Sequence, residues 1–246
     1  DGRDEVVIGN KEMSAYFAPA YGGALFELDY RQICFNLSNV LRRREETYHK
    51  IIRESGQAAK AGGGQPQSIH DRVHCKEEGL QNMLFYDRYE RYSFLDHFLG
   101  PQTTLAQFKQ SMQEEYGEFL DHPYEMEKPA KPRPGQRFTL GLKRSGVVKE
   151  NGRGLPVTIR KTFAFSPDKA EIEAHYRITN DGQEEMNGWW GVEFNFTMLA
   201  GDAKDRYYYS PDHTIDPGNL RSEGELKKVK TFGMRDDWFR FQLELS

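Results

Sequence analysis

The chain has 246 residues, 37% of them hydrophobic, with 16 Phe, 13 Tyr and 3 Trp, enough apolar area to close a sizeable core. Charged residues make up 29% yet net only −4, with both signs interspersed, which argues against a nucleic-acid surface. No apolar run approaches the ~20 residues of a membrane span, and the two cysteines, Cys34 and Cys75, read as reduced thiols of a cytoplasmic protein.

The opening DGRDEVVIGN lacks the basic-then-apolar start of a signal peptide, and without an initiator Met a fragment of a longer chain is expected. EVVIGN and SAYFAP read as strands, with a turn from Pro19 to Gly23. ALFELDYR alternates, with Leu25, Glu27, Asp29 and Arg31 on one face and Ala24, Phe26, Leu28 and Tyr30 on the other. VLRRREETYHKIIRES (40–55) predicts a helix striped by Val40, Leu41, Tyr48, Ile51 and Ile52. Asn36, Ser38 or Asn39 would cap it, and RRREE would be its solvated face.

GQAAKAGGGQPQ (56–67) and KPAKPRPGQ (128–136) read as flexible loops flanking an aromatic block, LFYDRYERYSFLDHFLG (84–100). From 138 onward the pattern turns β. Phe138, Leu140 and Leu142, then Val157, Ile159, Phe163 and Phe165, then Ile172, Ala174, Tyr176 and Ile178 each line one face. Asp168 and Asn180-Asp181-Gly182 mark turns, and GELKKVKTF and DWFRFQLELS alternate as well. The pattern predicts one all-β domain over 1–246, a large antiparallel sandwich with one or two short helices.

Chemistry centres on NGWWGVEFNFTMLAGD (187–202). Alternation places Trp190, Val192, Phe194, Phe196 and Met198 toward a core and Trp189, Gly191, Glu193, Asn195 and Thr197 on the opposite face. An indole beside a carboxylate and an amide suits a sugar; pairing of Glu193 and Asn195 with polar groups on the neighbouring strand is the structural alternative. His70 beside Asp71, and His97 beside Asp96, are oriented-base candidates, although neighbours on a strand point to opposite faces. Asp71, Asp87 and Asp96 offer oxygens of the kind calcium takes, without a contiguous calcium-loop motif, so no cofactor is expected. Gly-x-Ser-x-Gly, His-Glu-x-x-His and Walker motifs are all missing.

GGALFELDYRQICFNLSNVLRRREETYH (22–49), SIHDRV (68–73), LFYDRYERYSFLDHFLG (84–100) and GVEFNFTMLAGDA (191–203) together resemble the C-terminal β-sandwich region of glycoside hydrolase family 57, the α-amylase and 4-α-glucanotransferase group. The resemblance implies a large antiparallel sandwich akin to the galactose mutarotase fold. It also implies that catalysis, by a Glu nucleophile and an Asp acid/base, belongs to an N-terminal (β/α) barrel, so no residue of this chain is expected to be catalytic. The partners it implies are that barrel and an α-glucan or malto-oligosaccharide, with Trp189, Glu193, Asn195, His70 and His97 as candidate sugar contacts. Further strands are expected past DDWFRFQLELS, and an unpaired edge there would favour a homo-oligomer. The competing expectations are a stand-alone mutarotase or epimerase using His175 and Glu193 on neighbouring strands, and a purely structural or oligomerisation module.

Overall fold

The computed structural model describes residues 2–60, 79–128, 135–216 and 218–246. They divide into two compact units, one made of Asp1–Val40, Tyr92–Pro101 and Glu115–Ser246, the other of Leu41–Arg91 and Gln102–Glu114.

The larger unit is built of antiparallel sheets. Strands β1 (Val6–Gly9), β2 (Met13–Ala18), β3 (Ala24–Tyr30) and β4 (Phe35–Asn36) form one in that order. β5 (Leu95–Leu99) forms a ribbon with β10 (Trp189–Glu193), described below. β6 (Glu125–Met126), β7 (Phe138–Glu150), β8 (Arg153–Phe165) and β9 (Ile172–Asn180) form a second four-stranded sheet. β11 (Arg206–Tyr209), β12 (Phe232–Asp236) and β13 (Phe241–Leu245) form a three-stranded one. Single bridges Leu25–Ser93, Leu99–Glu115 and Gly117–Val148 tie the ribbon to the sheets beside it.

Period-2 patterning accounts for the core. Leu155, Val157, Ile159, Phe163 and Phe165 of β8 are buried, and the ring of Phe163 meets Phe17 of β2 at 4.7 Å. The first and second sheets therefore pack face to face as the expected sandwich. β7 turns into β8 at Asn151-Gly152, whose φ of 50° and 78° supply the left-handed pair that a two-residue hairpin needs. Gly22, at the turn into β3, has φ 64°, and a Cβ there would fall 2.3 Å from the Leu120 carbonyl oxygen.

Several expectations are corrected. ALFELDYR does not alternate cleanly, because the register shifts between Tyr16 and Phe17 as β2 pairs with β3. That bulge puts Leu25 and Leu28 both into the core. GELKKVKTF is irregular until Phe232. The helix expected over 40–55 instead runs as α1 (Thr47–Lys60) in the smaller unit, so 56–60 of the expected loop are helical and 61–67 lie outside the described residues.

The late start of α1 has a local cause. The Asp87 carboxylate accepts the Arg43 backbone N–H at 2.8 Å, and the Arg43 carbonyl accepts the Asp87 N–H at 3.0 Å. Those backbone groups are thereby satisfied in an extended chain and do not need a helix. RRREE is accordingly not a solvated helix face: Arg42 and Arg44 pair with Glu90, and Arg43 with Asp87. The short α2 (Leu105–Lys109) starts on a capping box between Thr104 and Gln107.

Candidate functional site

β10 pairs with β5 so that Gly191 lies opposite His97 and Glu193 opposite Leu95. Directly paired residues share a face, so His97 and Glu193 project to the same side, diagonally related, with the side-chain-free Gly191 between them. His97 Nε2 is 3.0 Å from Glu193 Oε2, and its Nδ1 is 2.7 Å from Glu115 Oε2. The Phe98 N–H donates to Glu115 Oε1 at 2.6 Å. Asn195, just beyond β10, donates its amide to Glu193 Oε1 and to the Tyr92 carbonyl, both at 2.8 Å. Its backbone N–H donates to Ser93 Oγ at 3.0 Å.

The cluster is closed from solvent: His97 retains 1% and Glu193 7% of its accessible surface. Burial alone would push the imidazole pKa down, but the hydrogen bonds to Glu115 and Glu193 and the charges of both carboxylates override it. The pKa rises from 6.5 to about 9, so His97 is an imidazolium at neutral pH. With both ring nitrogens donating to carboxylates, it has no lone pair with which to act as a base. The arrangement is a cross-brace that holds β5, β10 and the segment at 115 together.

The opposite face of β5 carries a second buried ion pair. Lys161 Nζ lies 2.6 Å from Asp96 Oδ2, and Tyr124 Oη donates to the same oxygen at 2.6 Å. Lys161 also donates to the carbonyls of Gly22 at 2.7 Å and Phe94 at 2.8 Å, and sits 4.5 Å from the centre of the Tyr124 ring. Its burial is complete and pulls its pKa down against the opposing pull of Asp96. Burial and the Asp96 charge both raise the Tyr124 hydroxyl. The sequence holds a signal for this pair: Lys161 occupies an inward position between Ile159 and Phe163, where only a paired charge is tolerated.

Glu193, Asn195 and His97 are thus brought together, and the expectation that Glu193 and His97 contact sugar is corrected. Both are spent on each other inside the protein. Trp189, at the start of β10, is 54% exposed. His70 and Asp71 lie outside the described residues. His175 is not beside Glu193: it lies on β9, in a different sheet, exposed and 2.7 Å from Glu173 of its own strand. That removes the acid–base pair of the mutarotase expectation.

Of the three aspartates with oxygens suited to calcium, Asp71 lies outside the described residues and the other two are engaged by cationic side chains. The carboxylate of Asp87, in the smaller unit, is held by Arg43 and Arg91, and that of Asp96 by Lys161 and Tyr124. Oxygens already neutralised by side-chain cations are poor calcium ligands. Among the described residues no group of three or more His, Cys, Asp or Glu is arranged to hold a metal ion, and no helix is long and apolar enough to cross a membrane.

Comparison with known proteins bears on the whole chain. The family described as "Alpha-amylase/4-alpha-glucanotransferase, C-terminal" matches residues 1–246. Alpha-amylase 1 of Dictyoglomus thermophilum is 32% identical over 214 residues, covering 86% of this chain and 29% of that protein. The 4-alpha-glucanotransferase of Thermococcus litoralis is 35% identical over 229 residues, covering 91% of this chain and 32% of that protein. The crystal structure of the Thermococcus litoralis 4-alpha-glucanotransferase superposes with a TM-score of 0.64 at 26% identity, over 85% of this chain and 29% of that one. The chain therefore spans less than a third of the length of these relatives.

Proposed function

The chain belongs to the alpha-amylase/4-alpha-glucanotransferase C-terminal family, and from that premise we propose that it serves an enzyme acting on α-1,4-glucans as a non-catalytic sandwich. In this reading it supports the catalytic barrel of the parent protein and contributes surface that binds glucan. The observation that carries the non-catalytic role is the state of His97 and Glu193. Among the described residues they are the histidine and carboxylate that β5 and β10 bring together, yet both are buried and paired with each other, and the imidazole pKa is raised by its carboxylate partners. General acid–base chemistry needs such a pair within reach of a substrate.

Incubation of the purified 246-residue chain with maltoheptaose, followed by chromatography of chain lengths, tests the reading. An unchanged oligosaccharide profile is expected. New shorter or longer chains that vanish in Glu193→Gln would refute it.

A further inference from the structure

The outer face of the sheet β11–β12–β13 is defined by its register. Tyr207 lies opposite Arg235, which lies opposite Gln242; Tyr209 lies opposite Gly233, which lies opposite Glu244. The alternate positions face inward: Arg206 and Asp236 are buried, and Phe241 and Leu243 pack against the core. Arg235, Gln242 and Glu244 are exposed, and the two tyrosines are partly so.

Gly233 shapes this face. A Cβ at 233 would sit 2.5 Å from Cε1 of Tyr209, so only glycine lets that ring lie down across β12. The ring is held there because Tyr209 Oη donates to Glu244 Oε2 on the far strand at 2.8 Å.

At the end of the same hairpin an indole is kept in solvent. Asp236 Oδ1 accepts the Phe239 N–H at 2.8 Å, and the Phe239 ring packs 6.0 Å from Phe35. Between these anchors Trp238 remains 71% exposed. Arg235, Asp237, Arg240, Phe241 and Gln242 line an open, shallow depression at this end of the sheet. Arg235 Nε donates to Asp237 Oδ1 at 2.8 Å, which orders the planar polar groups at its rim.

Flat aromatic rings bordered by guanidinium, carboxylate and amide groups suit a pyranose, whose C–H face stacks on a ring while its hydroxyls take the polar edges. We propose that this face, from Tyr209 and Tyr207 to Trp238, is a surface site for α-1,4-glucan chains; the assignment rests on the reading that the chain serves a glucan-acting enzyme. Binding here requires no reacting groups and no change in the fold.

Affinity electrophoresis of the 246-residue chain in native gels containing soluble starch tests the site, with hydroxyethyl cellulose as the control polymer. Retardation by starch alone is expected, with Trp238→Ala and Tyr207→Ala each weakening apparent affinity by about 3- to 10-fold and Met126→Ala, at an exposed apolar position of β6, leaving it unchanged. Melting temperatures of the variants, equal to that of the unsubstituted chain, show that folding is intact. An unretarded chain, or a Trp238→Ala variant retarded as strongly as the unsubstituted one, would overturn the site. Maltoheptaose incubated with the same sample separates the two failures. New chain lengths would overturn the non-catalytic reading itself, whereas an unaltered profile with an unretarded protein overturns only the surface.

Discussion

Asp96 and His97 are neighbours on β5 that point to opposite faces, and each sits in a buried ion pair that can be titrated or cut. The His97 pKa is raised to about 9 in the folded protein against an ordinary 6.5. Below pH 6.5 folded and unfolded chains both carry the proton, and the stabilisation is fully present. Between 6.5 and 9 the unfolded chain has lost its proton while the folded one keeps it, so stability falls as pH rises. Linkage puts the total on the order of 3 kcal/mol, to be read as a drop in urea-unfolding free energy between pH 6 and pH 9.5. His97→Gln is expected to abolish that slope. Lys161→Met strands the Asp96 carboxylate in the core and is expected to cost about 3–5 kcal/mol. The double variant Lys161→Met/Asp96→Leu is expected to recover part of that loss in the same denaturation assay. Lys161 was legible in the sequence as an inward lysine, but its acid was not, because Asp96 comes from a strand 65 positions earlier.

At the scale of elements, strands with unbroken alternation were legible, and those with a defect were not. The 13-residue partners β7 and β8 follow the pattern, with Asn151-Gly152 marking their hairpin. In β3 a bulge moves Leu28 onto the face of Leu25, and nothing in ALFELDYR announces it. The helix expected from Val40 starts at Thr47 because Asp87, more than forty residues downstream, claims the backbone of Arg43. The turn between β2 and β3 gives a direct test. Gly22→Ala combines a left-handed backbone with a Cβ 2.3 Å from a carbonyl oxygen, and is expected to cost more than ~2 kcal/mol, read as a lower melting temperature. Gly191→Ala meets nothing within 4 Å and is expected to leave the melting temperature nearly unchanged.

At the scale of the molecule, each unit has its own anchor. In the smaller one, burial would raise the Asp87 pKa, but hydrogen bonds from Arg43 and the charge of Arg91 hold it below the ordinary 3.8. Its stabilisation is therefore present above that pH and lost as pH falls through the folded value. Asp87→Asn is expected to speed amide hydrogen exchange over 41–46 and 80–91 at neutral pH. The sandwich of the larger unit follows from alternation alone, because side-chain direction along a strand is a local, period-2 property. Register and partner are not local. His97 and Glu193 are 96 residues apart, and only the antiparallel pairing of β5 with β10 sets one beside the other. The sequence determined that this is a β-rich chain and which residues of the long, regular strands β7 and β8 turn inward. Tertiary structure decided that Glu193 is a buried partner of an imidazolium, since strand pairing, which no stretch of sequence records by itself, fixes what each inward residue meets.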